Sequence, residues 1–251
     1  MSNSKLVTYT KLSPNHSGRR NHAIDRISIH CVVGQCSVET LGAIFAPKTK
    51  QASSNYGIGP DGRVGMYVEE QNRSWCTSSS ENDNRAVTIE TASDTKHPYA
   101  VREKAYAALL ELCTDICRRN GKKKLLWFGD KAKTLAYQPK PDEMVLTVHR
   151  WFANKSCPGD YLYSRHGEIA AEVSRRLGVQ QEEEKRGVDD VPYTVRVAGT
   201  GLPIRTGPGI NYPQRGTVPP GVYTIWEEQG GFGRLKSGAG WIELARTTKT
   251  G

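Results

Sequence analysis

The segment "VLTVHRWFANKSCPGDYLY" places His149 and Cys157 eight residues apart, with Lys155 between them. Three chemistries fit these residue types at this spacing. Cys157 can be a small buried thiol. It can be a nucleophile with His149 as its base, its pKa lowered near a helix start. Or the two residues are half of a metal site. Zinc takes imidazole and thiolate readily, and a catalytic zinc needs three protein ligands with a fourth position left for water. A third donor is available in His30, inside the apolar run "RISIHCVV", where a histidine also reads as a satisfied core residue.

Two further residues bear on the choice. Glu90 interrupts "VTIETA", where a strand would otherwise take an apolar side chain, and an ionisable group there has either a partner or a job. Lys155, two residues before Cys157, projects near any metal bound at that thiol. A carboxylate and an ammonium beside a zinc site suit amide hydrolysis. The metal lowers the pKa of water and polarises the carbonyl. The carboxylate takes and returns the proton, and the cation holds the oxyanion.

These residues must be positioned by the elements around them. "RISIHCVV" (26–33) and "RAVTIETA" (85–92) read as buried strands, and "KKLLWFGD" and "EMVLTVHRW" as shorter strand-like segments. "SSNYGIGPDGRVGMYV" carries an Asp-Gly turn between alternating segments, a hairpin signal. "TLGAIFAP" (40–47) reads as a short helix. Helical spacing of apolar residues predicts longer helices over 97–121 and 160–178, the second stopped by Gly178. Alternating strands and helices up to residue 178 argue an α/β layered domain. The polar, aperiodic "VQQEEEKRGVDD" reads as a linker over 179–190. From 191 to 251, short β-like runs broken by Gly and Pro predict a small all-β barrel.

Lys and Arg exceed Asp and Glu by 35 to 26, a formal charge of +9, which points to an anionic partner such as nucleic acid, a membrane surface or a wall polymer. No run approaches the roughly 18 apolar residues of a membrane span. The first residues lack the apolar core of a signal peptide, so the chain is expected to be made and folded in a cytoplasm and let out by another factor. The six cysteines are expected to be reduced, with Cys113 and Cys117, one helical turn apart, on a core face. Cys31 follows His30 and so faces the other side of its strand, as a core thiol; Cys36 and Cys76 read as structural or free. His16, His22, His97 and His166 read as surface or capping residues. "RRNGKKK" reads as a solvated helix end rather than a nucleic-acid patch.

In this order, "SIHCVVG", "SSNYGIGPDGRV", "AVTIETASD" and "VHRWFANKSCPGDYLY" resemble the zinc-dependent N-acetylmuramoyl-L-alanine amidases of the type-2 amidase and peptidoglycan-recognition-protein superfamily, and among them phage endolysins of Gram-positive hosts. The resemblance covers about 6–178. It implies a central mixed β-sheet flanked by helices, with His30, His149 and Cys157 as zinc ligands. It makes Glu90 the catalytic acid/base and Lys155 the transition-state stabiliser. The implied reaction cleaves the amide between N-acetylmuramic acid and the L-alanine of the stem peptide. Some relatives carry a catalytic tyrosine where this chain has Ser54; Tyr56 matches a structural aromatic, so no catalytic tyrosine is assigned. Asn55 and Trp75 are candidate substrate contacts. The implied partner is bacterial peptidoglycan, with no nucleic acid and a monomeric chain, acting on the wall after holin-type release.

"LPIRTGPGINYPQRGTVPPG" and "GFGRLKSGAGWIEL" resemble the bacterial SH3-like (SH3b) domains appended to wall hydrolases. That resemblance implies attachment to peptidoglycan, with Tyr212, Tyr223, Trp226 and Trp241 as candidate contacts, some of which must fill the small core. Three rivals remain at this level, one of them a nucleic-acid binder supported only by the net charge. A wall-directed cysteine peptidase would use Cys157 and His149 but leaves His30, Glu90 and Lys155 without a task. A non-catalytic recognition protein can dispense with metal ligands, yet all three positions are filled.

Overall fold

A computed structural model describes residues 2–178 and 191–250 of the chain. Two compact units divide it, Met1–Val179 and Gln180–Gly251. The predicted linker, 179–190, lies outside the described residues.

The first unit runs β1 (Val7–Thr10), β2 (His16–Arg19), β3 (Arg26–Cys31), α1 (Val38–Phe45), β4 (Tyr56–Ile58), β5 (Val64–Met66), β6 (Asn72–Ser74), α2 (Ser80–Arg85), β7 (Ala86–Thr91), α3 (Glu103–Arg119), β8 (Lys124–Leu126), α4 (Lys131–Ala136), β9 (Glu143–Thr147) and α5 (Gly159–Arg176). Among the described residues its main sheet has the order β1-β5-β4-β7-β3-β9-β8. The sheet is mixed: β4 and β5 are the antiparallel hairpin of the Asp-Gly turn, while β4, β7, β3, β9 and β8 are mutually parallel. Every residue of β3 and β9 is buried, which explains why both read as continuous apolar runs rather than alternating ones.

Helices α3 and α5 supply Leu109, Leu112, Ile116, Leu162, Ile169 and Val173 to the core, packed with Ile27, Ile29, Ile89 and Leu146 of the sheet. Cys113 and Cys117 lie on that core face, as their one-turn spacing predicted. All six cysteines are free. Helix α3 starts at Glu103, not at 97. Pro98 lacks a backbone donor and Tyr99 takes φ 62, so the intervening segment cannot be helical. Short helices α2 and α4, with little apolar periodicity, are fixed by their caps. Ser79 Oγ accepts from Asn82 N at 3.2 Å and Asp130 Oδ1 from Lys133 N at 2.6 Å.

His166 corrects the sequence reading. It is fully buried, its ring against Trp127 at 4.6 Å and its Nδ1 2.7 Å from the Leu162 carbonyl one turn back. No helix of the described residues is long and apolar enough to cross a membrane.

The second unit is all-β, as expected: β10 (Tyr193–Val197), β11 (Leu202–Arg205), β12 (Gln214–Val218), β13 (Gly221–Gln229), β14 (Phe232–Leu235), β15 (Trp241–Glu243) and β16 (Thr247–Lys249). They pair antiparallel in the order β12-β11-β15-β14-β13-β10-β16. Val195, Val197, Leu202, Ile225, Leu235 and Ile242 fill its core. Trp241 is buried, 8% exposed, which leaves little of its ring for a binding face, a correction to its candidate role. Tyr223 is half-buried and its hydroxyl donates to the Pro219 carbonyl at 2.8 Å. Tyr212 and Trp226 remain exposed, at 47% and 55%.

Candidate metal centre and active site

Parallel strands bring their carboxyl ends to one edge of a sheet, where ligand sites form in α/β proteins. His30 is the penultimate residue of β3 and Glu90 that of β7, and the register pairs them directly. His149 follows β9 by two residues, in a turn of 3-10 helix, His149–Trp151. Three neighbouring strands thus deliver three of the five predicted residues to one place.

Cys157 arrives by the following loop. Arg150 N donates to the Cys157 carbonyl at 3.1 Å, and the Arg150 guanidinium reaches the Ser156 carbonyl and, at 3.0 Å, Asp160. Arg150 therefore ties the loop to the turn that carries its neighbour His149. Gly159 then takes φ +79, and a Cβ there would stand 2.9 Å from that of Tyr99, so the sharp exit into α5 requires glycine.

The donor atoms of His30, His149 and Cys157 all lie within 4.8 Å of one another. His30 Nδ1 is 3.2 Å from Cys157 Sγ, and the His30 and His149 ring centroids are 5.2 Å apart. A tetrahedral zinc with bonds of about 2.0–2.3 Å separates its donors by roughly 3.3–3.8 Å. The donor set fits such an ion in spacing and in chemistry. His30 Nε2 is turned to Ser28 Oγ at 3.3 Å, which leaves Nδ1 toward the thiol. Ser78, at φ 62, sets its hydroxyl 3.1 Å from His149 Nε2.

Electrostatics favour neutral imidazoles at His30 and His149. Burial, with help from His149 and His166, holds His30 well below the usual histidine range, so its imidazole is neutral. Burial and the Lys155 charge lower His149 as well. The Cys31 thiol, burial and Glu90 push the Cys157 thiol above its ordinary value.

Glu90 Oε2 is buried without a hydrogen-bond partner. Burial first, and the Cys31 thiol second, push its carboxyl up to about 8. Cys76 Sγ lies 3.9 Å from its Oε1. Glu90, His149, Trp75, Cys76 and Cys31 line an open cleft of about 290 Å³, and Lys155 is exposed in an adjoining one that shares Trp75, Cys76 and His149. Cys31 is a core residue as read, yet its thiol also meets Cys157. Cys76 and Arg150 are the site residues that sequence reasoning missed; a thiol one residue after Trp75 was the available signal.

Asn55 is corrected. It is fully buried: its Oδ1 accepts from Arg20 Nη2 at 2.9 Å and Thr88 N at 3.1 Å, and its Nδ2 donates to the Val68 and Glu69 carbonyls at 3.2 Å. Nothing of it is left for substrate. Asn55→Ala is expected to destabilise the fold by about 3 kcal/mol or more, since several buried polar groups lose their partner at once; denaturant unfolding measures it. Ser54 Oγ donates to the Tyr56 carbonyl at 2.6 Å, and the Tyr56 hydroxyl donates to Glu70 at 2.6 Å while accepting from Ser4 N. Both hydroxyls are thus engaged in holding the fold.

Residues 19–160, more than half of the chain, match the family model described as N-acetylmuramoyl-L-alanine amidase, Amidase_2. No curated protein matches. Among solved structures, a mutant endolysin from Bacillus subtilis is similar at 14% identity and TM-score 0.47, over 66% of this chain and 97% of that one. An endolysin N-acetylmuramoyl-L-alanine amidase from Clostridium intestinale is similar at 14% identity and TM-score 0.44, over 66% and 96%. A Drosophila peptidoglycan recognition protein, PGRP-SA, is similar at 16% identity and TM-score 0.45, over 62% and 88%.

Proposed function

The chain belongs to the N-acetylmuramoyl-L-alanine amidase family, and on that premise we propose that it is a zinc-dependent, endolysin-type lytic amidase that cleaves the bond between the lactyl carbonyl of N-acetylmuramic acid and the L-alanine nitrogen of the stem peptide. The observation that carries this reading is the convergence of His30, His149 and Cys157 within 4.8 Å, beside the unpartnered Glu90 carboxylate oxygen.

His30, His149 and Cys157 would hold the ion. Zinc there supplies Lewis acidity to the scissile carbonyl and eases ionisation of the attacking water. Glu90 Oε2, free of other hydrogen bonds, takes a proton from that water and returns it to the leaving nitrogen. The new C–O bond forms at the lactyl carbonyl carbon, the C–N bond breaks, and the products are a carboxylic acid and a free amine. Lys155 Nζ, exposed at the cleft rim, offers its charge to the carbonyl oxygen as negative charge develops there. Trp75, half-buried between the two clefts and fixed by its Nε1 donating to Ser17 Oγ at 2.7 Å, presents a flat wall to the glycopeptide. Lysis of purified walls that stops with a chelator and returns with zinc supports this reading. Lysis that survives chelation but stops on thiol alkylation overturns it in favour of a cysteine peptidase.

The second unit is read as an SH3-like wall-anchoring module. Trp226, with Lys236 Nζ 5.8 Å from its ring centroid, forms an exposed depression with Arg234, suited to an anionic or sugar-bearing polymer. Anchoring raises the local substrate concentration and can multiply apparent affinity by about 10²–10⁴. Trp226→Ala and Tyr212→Ala together are expected to lower co-sedimentation of the full chain with walls by roughly tenfold or more, with unchanged hydrolysis of a soluble muropeptide.

A further inference from the structure

Glu90 faces a second set of donors. The donor atoms of His30, Cys76 and Glu90 also lie within 4.8 Å of one another. Cys76 Sγ sits 3.9 Å from Glu90 Oε1, while Glu90 Oε2 is buried with no partner at all. An imidazole, a thiol and a carboxylate in one buried corner suit a thiophilic divalent cation such as zinc or cadmium. The two sets meet only at His30. Its Nε2 is turned to Ser28, which leaves Nδ1 as the nitrogen for either set. One ion can therefore sit in one set or the other, not both.

We infer that His30, Cys76 and Glu90 form a second metal seat, mutually exclusive with the first, and that an ion held there withdraws the Glu90 carboxylate from proton transfer. The inference rests on the proposed role of Glu90 for its functional consequence, though not for the seat itself. Binding in this seat deprotonates Cys76, and Glu90 where its carboxyl still holds a proton, and releases those protons to solvent. The seat is then an inactive resting place for the ion, with Cys76 and Glu90 in place of His149 and Cys157. It also gives the half-buried Cys76 a task that the hydrolytic reaction does not.

The test is cadmium titration of the full chain, read by the ultraviolet charge-transfer band of cadmium–thiolate bonds. Cys157→Ala breaks the first seat and is expected to keep one equivalent of cadmium and a thiolate band, both lost in Cys157→Ala/Cys76→Ala. Adding Glu90→Gln to Cys157→Ala is expected to weaken cadmium binding about tenfold or more. His149→Ala breaks the first seat by another route, and its band is likewise expected to need Cys76 if Cys157→Ala fails to fold. A folded Cys157→Ala protein with no band, beside a Cys76→Ala protein that keeps one, overturns the second seat and leaves the amidase reading standing. If instead Cys76→Ala abolishes the band of the otherwise native chain while Cys157→Ala does not, the second seat stands and Cys157 loses its place as the working ligand.

Discussion

Glu90→Gln is expected to reduce wall lysis by roughly 10²–10⁴-fold, the usual worth of a positioned acid/base, while the zinc content of the protein stays unchanged. Glutamine keeps the shape and burial of the side chain, and the residue is not one of the three donors of the working seat, so metal retention separates a chemical role from a structural one. The carboxylate stands on β7, directly paired with His30, with one buried oxygen unpartnered at the cleft. Burial of that kind is costly unless the group does something. Near-normal lysis by Glu90→Gln, with zinc bound, would remove Glu90 from the mechanism.

The same residue leaves a trace in stability. In metal-free protein, burial raises its carboxyl from 4.5 to about 8. The folded state then holds the proton more tightly than the unfolded chain does. This contribution is fully present below about 4.5 and is lost as pH rises through about 8. Metal-free protein should therefore melt at progressively lower temperature across that window, and Glu90→Gln should flatten the slope. A slope unaltered by Glu90→Gln would mean that other groups set it.

The second large effect is expected at the donors. Cys157→Ala, made in a Cys76→Ala background so that the second seat holds no ion, should lower zinc affinity by more than about 100-fold, because changes to groups that merely orient ligands already cost about 10–100-fold. Wall lysis should fall with it and should not be restored by zinc at concentrations that saturate the native chain. The fold should survive, since Cys157 is only half-buried in a loop held by Arg150. Equilibrium dialysis with zinc, with circular dichroism as the control for folding, measures both. Lysis that persists in Cys157→Ala would remove Cys157 from the working donor set.

The parts of this site that sequence could display are those with a strand or a turn to announce them. His30 and Glu90 stand out because each is an ionisable residue inside an apolar, β-branched run. His149 and Cys157 stand out because a strand end and a Pro-Gly turn bracket them. Cys76 had no such frame: it follows the short, polar β6, whose pairing with β2 is not visible in either segment alone. Asn55 was misread because a polar residue beside a hairpin looks solvent-facing, whereas here it satisfies the backbone of a buried turn. His166 was legible after all. Leu162, His166, Ile169, Ala170 and Val173 share one helical stripe, and all five are buried. In the second unit, nothing in the local pattern separates Trp226 from Trp241; which one fills the barrel depends on pairing across strands.

Mass analysis of the fragments released from purified peptidoglycan, with and without chelator, tests the account most directly. It predicts free stem peptides beginning in L-alanine and intact glycan chains, with neither appearing after chelation and both returning with zinc. Fragments cut within the peptide or within the glycan, or the same stem peptides released undiminished in the presence of chelator, would contradict it.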